Sequence, residues 1–482
     1  MAKVISPGVA ALRKVVEDVY AAAREAKKNG ELVGWSSSKF PCELAEAFDL
    51  KVVYPENQAA GVAANRDGEI MCQAAEDLGY DNDICGYARI SLAYAAGKRA
   101  ARKFDPATGE YVINPNSGKP LKDENGNVVI DEATGKPKKD PKTMAPYTVL
   151  DDIYEIEALP DGPEKERRWE AIKPYRQMRI PQPDFVLCCN NICNCMTKWY
   201  ENIARMNNIP LIMIDIPYNN EVGVPDNYVA YIRGQFDAAI VQLEELTGKK
   251  FDQEKFNKAC SSANRTAKAW LKVCDFMQYK PAPLSGFDLF NHMADVVTAR
   301  AKPETADAFD LLATELEENV RTGKSTLPFP EKYRIMFEGI PCWPKLPDLF
   351  KPLKAGGLNV TAVVYAPAFG FVYDDYEGMV RAYCKAPNSI CLEQGIDWRE
   401  GICRDNKVDG ILVHYNRSCK PWSGYTPEMQ RHFEADLHVP CASFDGDQAD
   451  PRNFNEAQYE IRVQGLVEAM EANKNAKEVA AE

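Results

Sequence analysis

Histidine is scarce in this chain, which has 482 residues but only four histidines. That scarcity argues against a histidine-based zinc or di-iron site. No stretch approaches the roughly 18 uncharged apolar residues expected of a membrane span, and the N-terminus lacks the apolar core of a signal peptide. We therefore expect the fifteen cysteines to be reduced thiols in the cytoplasm and not a disulfide framework.

An excess of positive charge is also absent. The net charge is −13 and the isoelectric point is near 5.1, which argues against a general nucleic-acid or anionic-membrane binder.

The usual nucleotide-binding motifs are missing as well. No Gly-x-Gly-x-x-Gly follows a strand, and the TGKST segment at 322–326 has Glu318 where a phosphate loop needs its first glycine.

The order of the predicted elements indicates an α/β protein. Short apolar strands alternate with helical periodicities near both ends of the chain, which is the pattern of parallel sheets. We predict two parallel-sheet Rossmann-like domains with a helical middle region and a hairpin-rich insertion. The predicted segments are an N-terminal helix (1–29), a first α/β domain (30–222) with a surface insertion at about 104–178, a helical region (223–328) and a second α/β domain (329–482).

The insertion contains an internal repeat. VINPNSGKP at 112–120 recurs as VIDEATGKP at 129–137. Short β runs separated by Gly/Pro turns are typical of hairpins, so we expect a surface feature that carries no chemistry. Because it lies between Cys85 and Cys193, their separation in sequence says little about their distance in space.

Cysteines mark several predicted loops. Four of them lie within eight residues, in the segment CCNNICNC at 188–195, where a buried strand at 185–189 gives way to a helix. The turn after such a strand is where open α/β sheets hold ligands. The loop cysteines are Cys85, Cys193, Cys195, Cys342 and Cys419. We interpret the cysteines within helices and strands, including Cys188 and Cys189, as packing residues.

Thiolates from separate loops can hold an iron–sulfur cluster, because each loop need supply only one sulfur. From spacing alone, two interpretations stay open. One is such a cluster, and the other is a set of unconnected buried thiols.

Five motifs taken together go beyond spacing. They are VGWSSSKFPCEL (33–44), YPENQA (54–59), CCNNIC (188–193), FEGIPCWP (337–344) and DGDQADPR (445–452). In this combination the chain resembles the 2-hydroxyacyl-CoA dehydratase family, which also includes benzoyl-CoA reductase subunits. It is most similar to the α-type subunits, and the resemblance runs through nearly the whole chain, including the insertion.

The resemblance implies a cofactor and partners. Family members are heterodimers of related α and β subunits with [4Fe–4S] clusters, and FMN at the heterodimer is a further candidate cofactor. In α-type subunits three cysteines hold the cluster and one iron stays open. The matching positions are Cys85, Cys193 and Cys419, with Cys195 and Cys342 as alternatives. A separate ATP-dependent iron–sulfur activator protein is the implied electron donor.

The resemblance also implies a reaction on an acyl-CoA substrate. One electron added to the thioester gives a ketyl radical anion, which expels the 2-hydroxyl group and makes the β-proton far more acidic. The expected reaction converts (R)-2-hydroxyglutaryl-CoA to glutaconyl-CoA in the glutamate fermentation of an anaerobe. Phenyllactyl-CoA or 2-hydroxyisocaproyl-CoA as substrate, or a non-catalytic scaffold role, are the alternatives.

By the same resemblance, two polar residues face the substrate. Glu56 is expected to be the acid/base for the leaving hydroxyl group or the β-proton, and Ser37 a hydrogen-bond donor to the substrate. The alternative interpretation is structural. It makes Glu56 a solvent-exposed loop carboxylate and Ser37 a turn residue, and it leaves Ser36 or Ser38 equally able to be the donor.

Overall fold

The helices and strands are taken from a computed structural model, which describes residues 5–103, 105, 108, 110–115, 117–172 and 180–481. The first half of the chain contains α1 (Pro7–Lys28), β1 (Val33–Ser36), α2 (Cys42–Ala47), β2 (Lys51–Val53), α3 (Pro55–Ala64), α4 (Gly68–Asp77), α5 (Gly86–Ala95), α6 (Val149–Glu157), α7 (Pro163–Ile172), β3 (Phe185–Cys189), α8 (Cys195–Asn207), β4 (Leu211–Ile214) and α9 (Asp226–Thr247). The second half contains α10 (Gln253–Asp275), α11 (Gly286–Ala299), α12 (Pro303–Thr322), β5 (Tyr333–Glu338), α13 (Leu346–Gly356), β6 (Leu358–Val363), α14 (Tyr376–Tyr383), α15 (Leu392–Asp405), β7 (Gly410–Asn416), α16 (Lys420–Ser423), α17 (Thr426–Asp436), β8 (Cys441–Gly446) and α18 (Glu456–Ala481).

The strands form two four-stranded sheets in which neighbouring strands are parallel. Their orders are β2-β1-β3-β4 and β6-β5-β7-β8. Strands β1, β3, β5 and β6 are buried along their whole length, as expected of parallel sheets that helices cover on both faces. The predicted α/β class with two parallel-sheet domains is confirmed.

Both sheets share one topology, and it determines where a ligand can be held. In each, the first strand is central, the second lies on one side of it and the third on the other. The connection into the second strand and the connection into the third strand therefore lead to opposite sides of the central strand, which is β1 in one sheet and β5 in the other. A crevice opens at the carboxyl ends of strands at such a switch point. The loops after β1 and β3 line one crevice, and those after β5 and β7 line the other.

A glycine permits the close pairing of the two central strands in the first sheet. Gly34 in β1 pairs with Phe185 in β3, and a Cβ at Gly34 would lie 2.3 Å from the Phe185 ring. Any larger residue here would have to displace that ring. The bulky aromatic residue in β3 thus requires glycine in β1.

Long helices pack beside the sheets. Helix α1 lies against α11 and α12, and α10 lies against α12 and α2. Helix α5 ends at Ala95. Gly97, with φ of +88°, stops it, as a left-handed glycine commonly does. In the described part of the chain, no helix combines the length and apolarity needed to cross a membrane.

The chain divides into two compact units, Met1–Ala95 with Arg179–Glu482, and Ala96–Met178. In the second unit, the two copies of the sequence repeat pair differently: Ile130 bridges Pro137 within its own copy, whereas Ile113 bridges Pro146. These antiparallel bridges are those of hairpins. Helices α6 and α7 add a small apolar core. The predicted domain boundaries stay predictions.

Candidate active site

Four of the predicted loop cysteines meet at the carboxyl ends of the strands. Cys85 directly precedes α5, Cys193 follows β3, Cys195 begins α8, and Cys419 follows β7. Every pair among the four thiols interacts electrostatically, which places the sulfur atoms close together. All four residues are partly buried, whereas Cys188 and Cys189 are fully buried inside β3.

The surroundings of the thiol cluster disfavour free thiolates. Burial, and then the neighbouring thiols, raise the pKa of Cys85 and of Cys193 well above the usual value. Burial also raises the pKa of Cys195, and that of Cys419 to about 12. Such thiols stay protonated in the apo protein, and a bound cation would be needed to hold them as thiolates.

Hydrogen bonds fix the Cys85 loop to the second sheet. The Gly86 N–H donates to Ser418 Oγ at 2.9 Å, and the Ser418 hydroxyl is hydrogen-bonded to Asp447. Gln448 Nε2 donates to Cys85 Sγ at 3.3 Å. A Cβ on Gly86 would lie 2.6 Å from Asp447 Oδ1, so only glycine fits there without displacement. The loop after β8 therefore holds the thiol of Cys85 in place.

Cys342 lies outside the thiol cluster. It is fully buried, and the groups that influence its ionisation are Asp447, Lys345 and Asp348, not the four thiols. Of the two alternatives kept open from the sequence, the structure brings Cys195 to the other cysteines and leaves Cys342 apart.

The thiol cluster does not form a site for a single ion. Within the described ranges, no three histidine, cysteine, aspartate or glutamate side chains are grouped tightly enough to hold one metal ion. An iron–sulfur cluster makes a different demand, because each iron takes one thiolate and the protein sulfurs lie around the whole inorganic core. Soft sulfur donors from separate loops fit the arrangement that an iron–sulfur cluster needs.

A cavity of about 190 Å³ lies among α3, α11 and the loops after β1, β5 and β6. Its polar lining consists of Ser38, Glu56, Asn57, Tyr87, Asn291, Trp343 and Tyr365. The remaining lining is apolar, with the aromatic rings of Phe290 and Phe369. Among the described residues, no lysine or arginine lines this cavity.

Glu56 faces this cavity from the first turn of α3. The structural alternative for this residue, an exposed loop carboxylate, is wrong: Pro55 does not close a turn but begins a helix, a common place for proline, and Glu56 is only 8 % exposed. Its Oε2 accepts the Ser38 N–H at 2.6 Å. Burial raises the pKa of Glu56 to about 8, against the opposing effects of Ser38 and Lys39. Glu56 can therefore be protonated near neutral pH.

The neighbouring serines differ in what they contact. Ser37 is fully buried, and its Oγ accepts the Cys189 N–H at 2.9 Å, which joins the β1 loop to the end of β3. Ser38 lines the cavity and contacts Glu56. The structure thus brings Ser38 to Glu56 and places the Ser37 hydroxyl against the backbone.

Two tyrosines connect the cavity with the thiol cluster. Tyr87 and Tyr365 share a hydrogen bond, and the Trp343 indole N–H donates to Tyr87. Burial raises the pKa of Tyr365, and Glu56, Cys419 and Cys85 raise it further, so this hydroxyl lies near both the carboxyl group and the thiols. Sequence reasoning missed both tyrosines, although Tyr365 lies just beyond β6, at an edge where ligands are held.

A buried lysine directly follows the serine that contacts Glu56. Lys39 is 2 % exposed, donates from Nζ to the Ala368 carbonyl at 2.7 Å and lies 4.7 Å from the ring centroid of Phe369. Burial, and then Arg300, lower the pKa of Lys39 to about 7. The only signal for this residue in the sequence is its position directly after Ser38.

Comparison with known proteins identifies the family. Residues 168–470 match the family model of the 2-hydroxyglutaryl-CoA dehydratase D-component. The chain belongs to this dehydratase family. The family resemblance drawn from the five motifs is thereby confirmed, as is the prediction of a dehydratase.

Individual relatives cover nearly the full chain. It is 72 % identical to the α subunit of (R)-2-hydroxyglutaryl-CoA dehydratase from Acidaminococcus fermentans, over 99 % of this chain and 100 % of that one. It is 45 % identical to the (R)-phenyllactyl-CoA dehydratase α subunit of Clostridium sporogenes, over 97 % and 96 %. The (R)-2-hydroxyisocaproyl-CoA dehydratase α subunit of Clostridioides difficile is 41 % identical, over 96 % and 97 %.

Proposed function

We propose that this chain is the α-type subunit of a dehydratase that converts (R)-2-hydroxyglutaryl-CoA to glutaconyl-CoA through ketyl radical intermediates. The observation that carries the proposal is the position of a buried carboxyl group, Glu56, in a cavity beside four converging thiols. The full-length identity to the Acidaminococcus fermentans subunit supports the choice of substrate.

Cys85, Cys193 and Cys419 are the proposed ligands of a [4Fe–4S] cluster. They come from three separate loops, and hydrogen bonds join the Cys85 loop to the loops after β7 and β8. When bound, the cluster would supply one-electron chemistry at low potential and a Lewis-acidic iron. Their thiols, which burial keeps protonated, would release protons on binding it.

Glu56 is the proposed acid/base. With a pKa of about 8 it holds a proton at neutral pH that it can give to the departing hydroxyl group, and the resulting carboxylate can accept the β-proton. The Ser38 N–H stabilises that carboxylate, as does the N-terminus of α3. One residue thereby serves both proton transfers without a change of position.

A serine hydroxyl is the proposed donor to the substrate, and Ser37 and Ser38 are both candidates. Ser38 lines the cavity, whereas Ser37 supports the loop from beneath through its contact with Cys189. Ser38→Ala is expected to raise KM for the thioester if the Ser38 hydroxyl is the donor. Ser37→Ala is the matched variant, and the one with the larger rise in KM identifies the donor.

The proposed partners, further cofactor and location are those that the family resemblance implies. The proposal also includes a related β subunit, an ATP-dependent iron–sulfur activator protein, FMN at the heterodimer and a location in the cytoplasm. The word "subunit" in the names of the relatives supports a partner chain.

A different 2-hydroxyacyl-CoA is the second candidate substrate. The described cavity lining is rich in aromatic and aliphatic groups and includes no arginine or lysine, which suits a phenyl or isobutyl side chain better than a distal carboxylate. The higher identity to the (R)-2-hydroxyglutaryl-CoA dehydratase α subunit argues against this second candidate.

Two measurements test the proposal. Iron and sulfide analysis should find about four of each per chain, and a chain without iron would contradict the cluster and favour a scaffold. Anaerobic turnover with the β subunit and activator, over a panel of 2-hydroxyacyl-CoA thioesters, should show the highest kcat/KM with the glutaryl compound. A higher value with the phenyllactyl or isocaproyl compound would transfer the assignment to the second candidate.

A further inference from the structure

The side chain of Lys39 connects two walls of the cavity that Glu56 faces. Lys39 directly follows Ser38, whose N–H donates to Glu56 Oε2 at 2.6 Å. Its Nζ donates to the carbonyl of Ala368 at 2.7 Å. Ala368 directly precedes Phe369, and Phe369 lines the same cavity from the loop after β6. A short path of covalent and hydrogen bonds therefore runs from the proposed acid/base group to the aromatic wall contributed by the second sheet.

Aromatic rings contact the ammonium group of Lys39. Its Nζ lies 4.7 Å from the ring centroid of Phe369 and 5.2 Å from that of Phe371. At these distances the face of an aromatic ring attracts a cation, and the attraction is stronger away from water. Because Lys39 is buried, its ammonium group holds the Phe369 ring at a fixed distance from the loop that carries Ser38.

Packing alone does not account for a lysine at this position. Among the described residues, no carboxylate forms a salt bridge with Lys39, and the Ala368 carbonyl is the one hydrogen-bond acceptor of its Nζ. A second buried cation, Arg300, lies 5.0 Å from the centroid of the Phe371 ring that Lys39 also contacts. A buried charge without an ionic partner lowers stability. An uncharged side chain of the same length would therefore pack here at a smaller cost.

We propose that Lys39 is a positioning residue for the dehydration: its ammonium group ties the loop that orients Glu56 to the Phe369 wall, and so keeps the carboxyl group aligned with the acyl group of the substrate. This inference rests on the proposed function. Lys39 is not part of the cavity lining, so it acts through Ser38 and Phe369 and not by contact with the substrate. Its positive charge also favours the carboxylate that Glu56 becomes after giving up its proton.

The test compares Lys39→Met with Lys98→Met in the full-length chain. Both variants are assayed anaerobically with the β subunit, the activator and (R)-2-hydroxyglutaryl-CoA. Lys98 is the matched control, because it is also a buried lysine, its Nζ donates to Glu157, and that Nζ lies 4.7 Å from the ring centroid of Tyr154. It belongs to the other compact unit, Ala96–Met178.

Lys39→Met should lower kcat by about 10- to 100-fold and change KM by less than about twofold, because it displaces the acid/base group without removing a contact to the substrate. Iron content should stay unchanged. The midpoint of urea unfolding should not fall, since the substitution removes a buried charge that has no ionic partner. Lys98→Met should leave kcat and KM unchanged.

The pH profile gives a readout that a purely structural role would not change. The alkaline limb of kcat/KM, where Glu56 loses its proton, should move to higher pH in Lys39→Met, because a positive charge that favours the carboxylate is gone. Lys98→Met should leave this limb in place.

The other titratable groups that face Glu56 or Lys39 do not obscure that limb. They are Tyr200, Tyr365, Cys188, Cys189, Cys193 and Arg300. Burial raises the pKa of both tyrosines, of Cys188 and of Cys189, so these groups stay protonated, and Arg300 stays charged. Cys193 is a proposed cluster ligand and holds no proton in the loaded chain.

An unchanged kcat in Lys39→Met would overturn this inference and leave the proposed function intact. A lower urea midpoint, or an alkaline limb that does not move, would assign the lysine to folding and would overturn the inference as well. A raised KM with unchanged kcat would contradict positioning, because it would show a lost contact with the substrate. An unsubstituted chain that dehydrates no 2-hydroxyacyl-CoA thioester would overturn both the inference and the proposed function.

Discussion

The two sheets have the same strand order but contribute different chemistry. The first sheet carries the proposed proton chemistry, through the loop after β1 with Ser38 and the α3 terminus with Glu56. The second supplies structural support, because Ser418, Asp447 and Gln448 hold the loop that carries Cys85. Each sheet also brings thiols to the same place. The two sheets, which share one topology, therefore separate the proposed acid/base group from the positioning of the thiol cluster.

That division follows from the edge at which parallel strands end. Loops there are long enough to carry polar side chains, while the strands beneath remain apolar and rigid. Neither sheet by itself assembles the site, since the cavity takes its lining from both. Changes to the two sheets should consequently produce different defects.

The largest expected effect comes from the thiols. Cys85→Ser and Cys419→Ser should each lose most of the bound iron and abolish turnover, because each removes one of three proposed ligands. Iron analysis and anaerobic assays measure this. Cys441→Ser, in strand β8 and away from the thiol cluster, is the control. Full iron content in the Cys419→Ser variant would show that the second sheet contributes no ligand to the cluster.

Glu56→Gln should separate proton transfer from cluster binding. Turnover is expected to fall by about 10²- to 10⁴-fold while iron content stays unchanged, because the amide cannot exchange a proton. The exposed Glu31→Gln serves as control. Near-normal turnover in Glu56→Gln with an intact cluster would remove the catalytic assignment.

The raised pKa of Glu56 also predicts a pH-dependent stability. The unfolded carboxyl group ionises near pH 4.5, whereas the folded one keeps its proton until about pH 8. The contribution of the protonated group to folding is therefore complete below about pH 4.5 and is lost as the pH rises to about 8. Urea unfolding from pH 5 to 8 should show Glu56→Gln gaining roughly a few kcal/mol relative to the unsubstituted chain. A pH-independent difference would contradict the raised pKa.

Gly86→Ala should loosen the contact between the sheets. The new methyl group would meet Asp447 Oδ1 at 2.6 Å, and we expect a loss of about 1–3 kcal/mol in the free energy of unfolding. Gly401→Ala, where no neighbour lies within 4 Å, is the matched control and should change stability little. Equal effects of the two substitutions would show that the Asp447 contact is not tight.

The smallest effect is expected from Gln448→Leu. Removing its N–H from Cys85 Sγ takes away a donor that favours the more negatively charged, reduced cluster, so the reduction potential should fall by roughly tens of millivolts. Redox titration measures this shift, and the exposed Gln464→Leu is the control. A rise in potential would contradict the hydrogen bond to the thiol.

Sequence patterns predicted the fold and the thiols well. The buried run of β3 is purely apolar before its cysteines, and loop position separated Cys85, Cys193, Cys195 and Cys419 from the packing cysteines. The criterion of a loop position also included Cys342 among the candidates, because a position after a strand does not show which way the loop turns. The structure separates that residue from the rest.

Other features depended on tertiary contacts. Proline can follow a strand or begin a helix, and Pro55 begins α3, so the sequence alone leaves Glu56 open as an exposed loop residue. Asn291 comes from α11, whose periodicity indicates only a packed helix, and nothing local shows that it faces the cavity. The burial of Lys39 also depends on tertiary contacts, since it results from Phe369 and Ala368, more than three hundred residues away.

The central claim is that the Glu56 cavity and the thiol cluster form one site. Mössbauer spectra of the cluster-loaded chain, recorded anaerobically with and without saturating (R)-2-hydroxyglutaryl-CoA, test it most directly. We predict that the substrate changes the signal of one iron and leaves the other three unchanged. Identical spectra, with binding of the substrate verified separately, would contradict the account.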